Sequence, residues 1–354
     1  MEPNSPFMPD DCADLADCAE QADEPREEDL WFLPGPITEE PDFLPPGPRV
    51  EPNEATILAD WIQAEAGLAA RLARVAARLG ALDGRVRRGP EGWRHRLALI
   101  EAADLSWFVG DRVTSDRLAL WIALRLSGVQ EDAAALARVG WAVRRLTGGP
   151  GPEANLAGFL GRHDPENIYD TAERLEDRAG SWLDLMDAAR DLHPISRACM
   201  GYHLWNLAGL GQHGDRIEAA VTAARIAADG KGAVFAPLAM GGAAGLRATG
   251  PAAMRLARWL DGLDSGIRKA VRQLDDIEAW AARAEIVMAP LSGRTPPALR
   301  AALTEWPLVS APMAERLTGA SRAAVQRNLA WMEARGLIRE VTGQGRFRMW
   351  CVQI

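Results

Sequence analysis

From Glu54 to Leu82 the apolar positions Ile57, Trp61, Leu68, Leu72, Val75, Leu79 and Leu82 settle into steps of four and three residues. That spacing keeps them on one stripe of a 3.6-residue turn and predicts a long amphipathic helix. Arg71, Arg74 and Arg78 fall off the stripe and read as its solvated face. A turn at 87–90 follows. Helical patterns recur near 91–108, 116–127, 131–147, 171–190, 194–210, 214–228, 234–248, 251–262 and 264–287. Gly148-Gly149-Pro150-Gly151-Pro152 is the clearest break among them. No stretch of this region sustains the period-two alternation of β-branched residues that marks a strand, so the body is expected to be all-α. Residues 1–29 are acidic and proline-punctuated, with little to bury, and are expected to be disordered. Trp31-Phe32-Leu33-Pro34-Gly35-Pro36-Ile37 cannot make a helix between its prolines and is expected to dock on the helical body as an extended strip.

The pattern changes after Ala289–Pro297, the best linker in the chain. Ser310 can cap one short helix and Ser321 a second, each accepting from free backbone N–H groups. Gly319 and Gly336 sit where those helices must stop. Val325, Leu329 and Met332 recur at i, i+4, i+7 and define the buried stripe of the second helix. Arg322, Ala323, Gln326, Arg327 and Ala330 are left on its other face. Beyond Leu337-Ile338, two short strands are expected to flank Gly343-Gln344-Gly345. Arg346 and Arg348 there alternate with Phe347 and Met349, which puts the arginines on one side and the apolar pair on the other. Two short helices, a glycine turn and a two-stranded wing read as a winged helix-turn-helix. The expected fold class is therefore mainly α: a disordered tail at 1–29, a multi-helical domain at 30–288, a linker at 289–297 and a C-terminal winged helix-turn-helix at 298–354.

Charge sharpens this reading. The formal net charge is −9, yet residues 294–354 hold nine arginines against four glutamates, and residues 1–60 hold seventeen acids against two arginines. The acidity belongs to the N-terminal tail. Phosphate binding depends on local charge, because counterion release counts only the phosphates a surface neutralises. Double-stranded DNA is thus the expected partner. Arg322, Gln326 and Arg327 would read or position on the major groove, Ser321 and Ala323 would approach it closely, and Gln344, Arg346 and Arg348 would grip flanking phosphates. One such unit buries modest surface, so a homodimer reading paired half-sites is a possible assembly.

Catalytic patterns are weaker. His193, His203 and His213 are ten residues apart, which turns a helix through about 1000° and points successive rings in different directions. His193-Pro194 resembles the opening of the Fic-type nucleotidyl transferase motif H-P-F-x-x-G-N-G-R. The text continues Ile195-Ser196-Arg197-Ala198-Cys199-Met200-Gly201, so the phosphate cradle is missing and Pro194 reads as a first-turn proline. His163-Asp164-x-Glu166 sits in an expected loop without partners. Gly241-Gly242-x-x-Gly245 lacks the strand that a phosphate loop requires and reads as close helix packing. Four cysteines (12, 18, 199 and 351) lack metal-ligand spacing. No cofactor, metal or enzymatic activity is expected. No secretory leader or membrane span is read, since the longest uncharged stretch, residues 232–246, is too short, so the expected location is the cytoplasm.

Several segments together resemble a family of alphaproteobacterial, often plasmid-encoded proteins of unknown function with a C-terminal helix-turn-helix DNA-binding domain. They are the strip at 31–37, G-W-R-H-R-L-A-L-I-E-A at 92–102, L-H-P-I-S-R-A at 192–198, and the 234–263 region ending A-R-W-L-D-G-L. P-L-V-S-A-P-M-A-E-R-L-T and G-L-I-R-E-V-T-G-Q-G-R-F-R-M-W complete the set. The resemblance covers about residues 30–354 and implies a helical domain joined to a DNA-binding tail, with no substrate. A sequence-specific transcriptional regulator is the leading expectation. The alternatives are an interaction protein whose winged helix docks a protein partner, and an enzyme with an unrecognised site in the helical body, such as a decayed Fic-like fold.

Overall fold

The structure, a computed structural model, describes residues 54–124, 132–161, 172–210, 216–228, 235–343 and 347–354. The acidic tail, the 31–37 strip, His163-Asp164-x-Glu166, His213, Gln344 and Arg346 lie outside the described residues. Twelve α-helices and three strands are described. In chain order the helices are α1 (Glu54–Arg88), α2 (Gly92–Val109), α3 (Ser115–Leu124), α4 (Ala133–Thr147), α5 (Leu156–Leu160) and α6 (Ala172–Ala188). They continue with α7 (Pro194–Leu204), α8 (Ile217–Ala227), α9 (Ala252–Met288), α10 (Thr295–Glu305), α11 (Ala311–Thr318) and α12 (Arg322–Ala334). The strands are β1 (Val309–Ser310), β2 (Ile338–Glu340) and β3 (Met349–Val352). None of the helices is long and apolar enough to cross a membrane.

α1 and α9 form the spine. On α9 Leu256, Leu260, Leu263, Ile267, Ala270, Leu274 and Ile277 are buried at alternating steps of four and three. On α1 Leu72, Val75, Leu79, Leu82 and Val86 are buried at the same alternation. Two such stripes pack as a coiled-coil seam. Ion pairs flank it: Arg71 with Asp261, Arg78 with Asp264, and Arg85 with Asp275 at 2.7 Å and Glu278 at 2.9 Å. Partners advance together along both helices, so the two run parallel. Arg71 and Arg78 thus make cross-helix ion pairs, while Arg78, still 54% exposed, keeps to the solvated face expected of it. The seam also covers the α1 stripe from Leu72 to Val86.

α9 replaces the two helices expected at 251–262 and 264–287. Its glycines do not interrupt it; they admit a neighbour. A Cβ on Gly266 would lie 2.0 Å from the Pro237 carbonyl oxygen, and one on Gly241 2.6 Å from that of Gly262. The close packing expected of Gly241 and Gly245 is present, but the segment carrying them is not the helix expected at 234–248. It runs irregularly to a single 3-10 turn at Gly245–Arg247. Glu101 explains why that backbone is tolerated. Its fully buried carboxylate accepts from the N–H groups of Leu238 and Ala239, each at 2.8 Å, and of Met240 at 3.0 Å. A buried donor left unpaired costs about 1–3 kcal/mol, so one side chain replaces much of what a helix would supply.

Around this spine α2 is buried on nearly every side, which is why its pattern shows little amphipathic contrast. α4 ends at Thr147, at the expected glycine-proline break. Arg225 donates to the Arg145 carbonyl in the last turn of α4 and to Gly148 at 2.8 Å and Gly149 at 3.0 Å just beyond it, and Arg94 donates to Thr147 at 2.9 Å. Cations at a helix C-terminus satisfy free carbonyls and complement its dipole.

The C-terminal elements belong to one compact unit with the body, running from Pro52 to Ile354. α10 opens at Thr295, inside the expected linker, with proline in its first turn where a missing N–H costs nothing. Arg96 of α2 caps the other end, donating to the carbonyls of Thr304 and Glu305 at 3.1 Å and to those of Leu303 and Trp306. Burial lowers Arg96 to about 10, which still leaves it charged at neutral pH. Trp280 of α9 donates to Leu337 O at 2.7 Å, Arg283 to Gln353 O at 2.7 Å, and Arg339 pairs with Asp116 of α3. The strands form one antiparallel sheet in the order β1-β3-β2, with Val309 opposite Trp350 and Arg339 opposite Cys351. β1 is a third strand beyond the two expected. Because β3 is the middle strand, all four of its residues are buried instead of alternating.

Candidate nucleic-acid interface

α11, the turn at 319–321 and α12 are built by local signals. Ser310 accepts from Met313 N at 3.3 Å and Ser321 from Ala324 N at 3.4 Å, so both expected caps are formed. Gly319 closes α11 at φ 65°. Gly336, also at φ 65°, ends α12 in a Schellman arrangement: Leu337 N donates to Met332 O at 3.0 Å and Gly336 N to Glu333 O at 3.0 Å. A non-glycine residue there would pay for a left-handed backbone. Val325, Leu329 and Met332 are each fully buried, as their spacing predicts.

The opposite face of α12 is open. Ser321, Arg322, Ala323, Gln326, Arg327 and Ala330 are all exposed. Their charges are not equally free. Arg322 pairs with Glu315 of α11 at 3.0 Å. Arg327 and Gln326 have no ion-pair or hydrogen-bond partner among the described residues. Arg348 pairs with Glu333 at 3.2 Å and lies 4.9 Å from the centre of the Trp350 ring, whose Nε1 donates to the same glutamate. Arg300 and Arg339 are taken up by Glu285 and Asp116. The nine C-terminal arginines thus overstate the charge on offer.

Two residues were missed. Arg316 of α11 is exposed with no ion-pair or hydrogen-bond partner among the described residues, and Arg335 stacks on Trp331 at 3.6 Å. The step of four that links Arg327, Trp331 and Arg335 along one row of α12 was the available signal. One expectation fails. Phe347 does not share the buried side with Met349; it is 72% exposed at φ 59°. That backbone cannot continue a strand, so the period-two argument stops at Met349. Ahead of this point, Glu340 accepts from Thr342 N at 2.7 Å and Gly343 N at 2.9 Å. Burial opposes ionisation of Glu340, but these hydrogen bonds prevail and hold its carboxyl below the usual range.

The catalytic candidates have structural positions. His193 caps α7, its Nδ1 accepting from Ile195 N at 3.1 Å and its own N–H donating to Glu65 at 3.0 Å, with Pro194 in the first turn. Cys199 is fully buried, and burial pushes its thiol well above the usual value. No group of three or more His, Cys, Asp or Glu side chains gathers as a metal site among the described residues. No protein-family model matches the chain, and no curated protein matches it. Residue roles therefore rest on geometry and charge.

Proposed function

We propose that residues 295–354 form a winged helix-turn-helix that binds double-stranded DNA, and that the protein is a sequence-specific transcriptional regulator. The observation that carries this reading is the exposed face of α12, where Arg327 and Gln326 stand without partners beside the small Ala323 and Ala330. Small residues permit close approach to a groove, while Arg favours guanine and Gln favours adenine. The element order helix, strand, helix, helix, strand, strand and the β1-β3-β2 sheet agree with a winged helix. In this reading α12 enters the major groove and Ser321 places its N-terminus toward phosphate. Arg348 exchanges Glu333 for a phosphate, and Gln344 and Arg346 of the wing join it. Arg322 makes the same exchange against Glu315, which lowers its net contribution. A second copy reading a paired half-site would supply the remaining specificity.

The test is binding of the full chain to duplex DNA across salt. Wild type should lose affinity steeply as salt rises, and Arg327→Ala should reduce the log–log slope by about one unit if it meets a phosphate. Gln326→Ala should instead change which duplexes are enriched from a random pool. Absent or salt-insensitive binding overturns the reading. Leu317 and Phe347, 48% and 72% exposed, favour protein docking as the second reading. In that case duplex binding is absent or insensitive to salt, and Phe347→Ser should abolish binding of the protein partner.

A further inference from the structure

We propose that the helical body contains a binding site for a small phosphate-bearing anion, separate from α12 and independent of the DNA-binding reading. A cavity of about 180 Å³ opens where four segments meet. Arg216 comes from the start of α8, Arg247 from the 3-10 turn, Arg255 from the first turn of α9, and His203 with Tyr202 from the end of α7; Thr249 completes the rim. No aspartate or glutamate is among the described residues that line it. Arg216, Arg247 and Arg255 line one half-enclosed space with no acid among its described lining, Arg247 while also donating to Gly242 O at 3.2 Å and lying 4.9 Å from the Phe108 ring centre, and a low-dielectric wall concentrates their field.

The polar atoms point the same way. Arg255 Nε and His203 Nε2 are buried without a hydrogen-bond partner. Buried donors left unpaired mark a missing ligand or water, and both kinds suit a phosphate oxygen. His203 is held by rings on three sides: Trp61 at 6.3 Å, Tyr202 at 5.2 Å and Trp259 at 6.3 Å. Burial, then Arg255 and Arg216, lower it to about 4, so the ring is neutral, and in one of its two tautomers Nε2 carries the N–H that a phosphate oxygen would accept. Tyr202 is itself fixed, donating to Leu246 O at 2.9 Å. α9 opens at Pro251 with no side-chain cap, and because Thr249 before it and Arg255 in its first turn line the cavity, its positive end lies near this rim. Three cations match a phosphate dianion better than a single carboxylate. The space is smaller than the ~300–1,000 Å³ typical of drug-sized ligands, which restricts the occupant to free phosphate or a short phosphomonoester. Arginines converge around His203, not around the His193-Pro194 pair that resembles a catalytic motif.

Calorimetric titration of the full chain with inorganic phosphate and, separately, glycerol phosphate tests the site. One saturable site is expected, with a dissociation constant near or below about 1 mM. Arg255→Gln and Arg216→Gln should each weaken it about tenfold or more, whereas Arg327→Gln on α12 should leave it unchanged. Because Arg216 and Arg247 are exposed, Arg216→Gln and Arg247→Gln keep the test valid even if Arg255→Gln unfolds. Tighter binding of the monoester assigns an organic phosphate, and tighter binding of the free ion assigns phosphate itself; either supports the site. No saturable binding of either probe overturns it. So does binding that the cavity variants leave intact, or that Arg327→Gln removes equally.

Discussion

Arg85 on the spine and Arg327 on α12 are both arginines on amphipathic helices, but their surroundings differ. Arg85 is 23% exposed and held between Asp275 and Glu278 of a helix 190 residues away. Arg327 is exposed and has no acid or carbonyl to answer it among the described residues. Where the chain supplies its own counter-charges, arginine fixes the register of two helices. Where it supplies none, the charge is available to something outside the fold. Arg322 and Arg348 lie between these limits, each paired with a glutamate on its own unit. Arg96 and Glu101 form a third situation: buried ionisable groups answered by backbone alone. The number of basic residues in a segment is therefore a poor guide to interaction; the number without partners is a better one.

That contrast yields a ranked set of expected outcomes. The largest belongs to Arg96, whose removal strands the last carbonyls of α10. Arg96→Met should cost about 3 kcal/mol or more in urea unfolding, and a loss below about 1 kcal/mol would show that water replaces it. Glu101 follows. Burial pushes its carboxyl up to about 7 from 4.5, against the pull of the Ala239, Met240 and Leu238 N–H groups. The native state keeps this proton where the unfolded chain has released it. Stability from this group is therefore greatest below about 4.5 and falls by about 3 kcal/mol as pH rises to about 7. Glu101→Gln has no proton to lose and should flatten that decline, measured as urea midpoints on either side of the window. An unchanged slope would assign the pH dependence elsewhere. Arg85→Ala comes third, at about 1 kcal/mol or less, because its ion pairs are partly solvated. Arg327→Ala should change stability least, within about 0.5 kcal/mol, while still weakening DNA binding. A thermal shift larger than that would make Arg327 structural and remove the contrast.

Legibility in the sequence followed the range of the interaction. Ser310, Ser321, Gly319, Gly336 and the Val325–Leu329–Met332 stripe act within one or two turns, and each is written in adjacent residues. The α1 stripe was legible for the same reason, but its partner was not. Nothing near Arg71 or Arg78 reveals acids that lie about 190 residues on. The boundary expected between helices 251–262 and 264–287 falls beside Gly262, and a glycine needed for a close backbone approach looks the same in sequence as one that ends a helix. Glu101 was invisible: a glutamate within an apolar run gives no sign that three distant N–H groups need it. On the candidate interface the exposed α12 positions were legible from periodicity. Arg322 and Arg348 carried no sign that Glu315 and Glu333 already hold them. Phe347 misled because alternation assumes an extended backbone that its positive φ denies.

The parallel pairing of α1 with α9 also sets a schedule for synthesis. The ion pairs along the seam join residues 186 to 193 positions apart. A ribosome adding roughly 5–20 residues per second needs about 10–40 s to make the second helix after the first has emerged. Throughout that interval Leu72, Val75, Leu79 and Leu82 have no seam to enter. The newborn chain therefore carries an uncovered leucine stripe for that interval, a surface that a holdase could cover until α9 arrives.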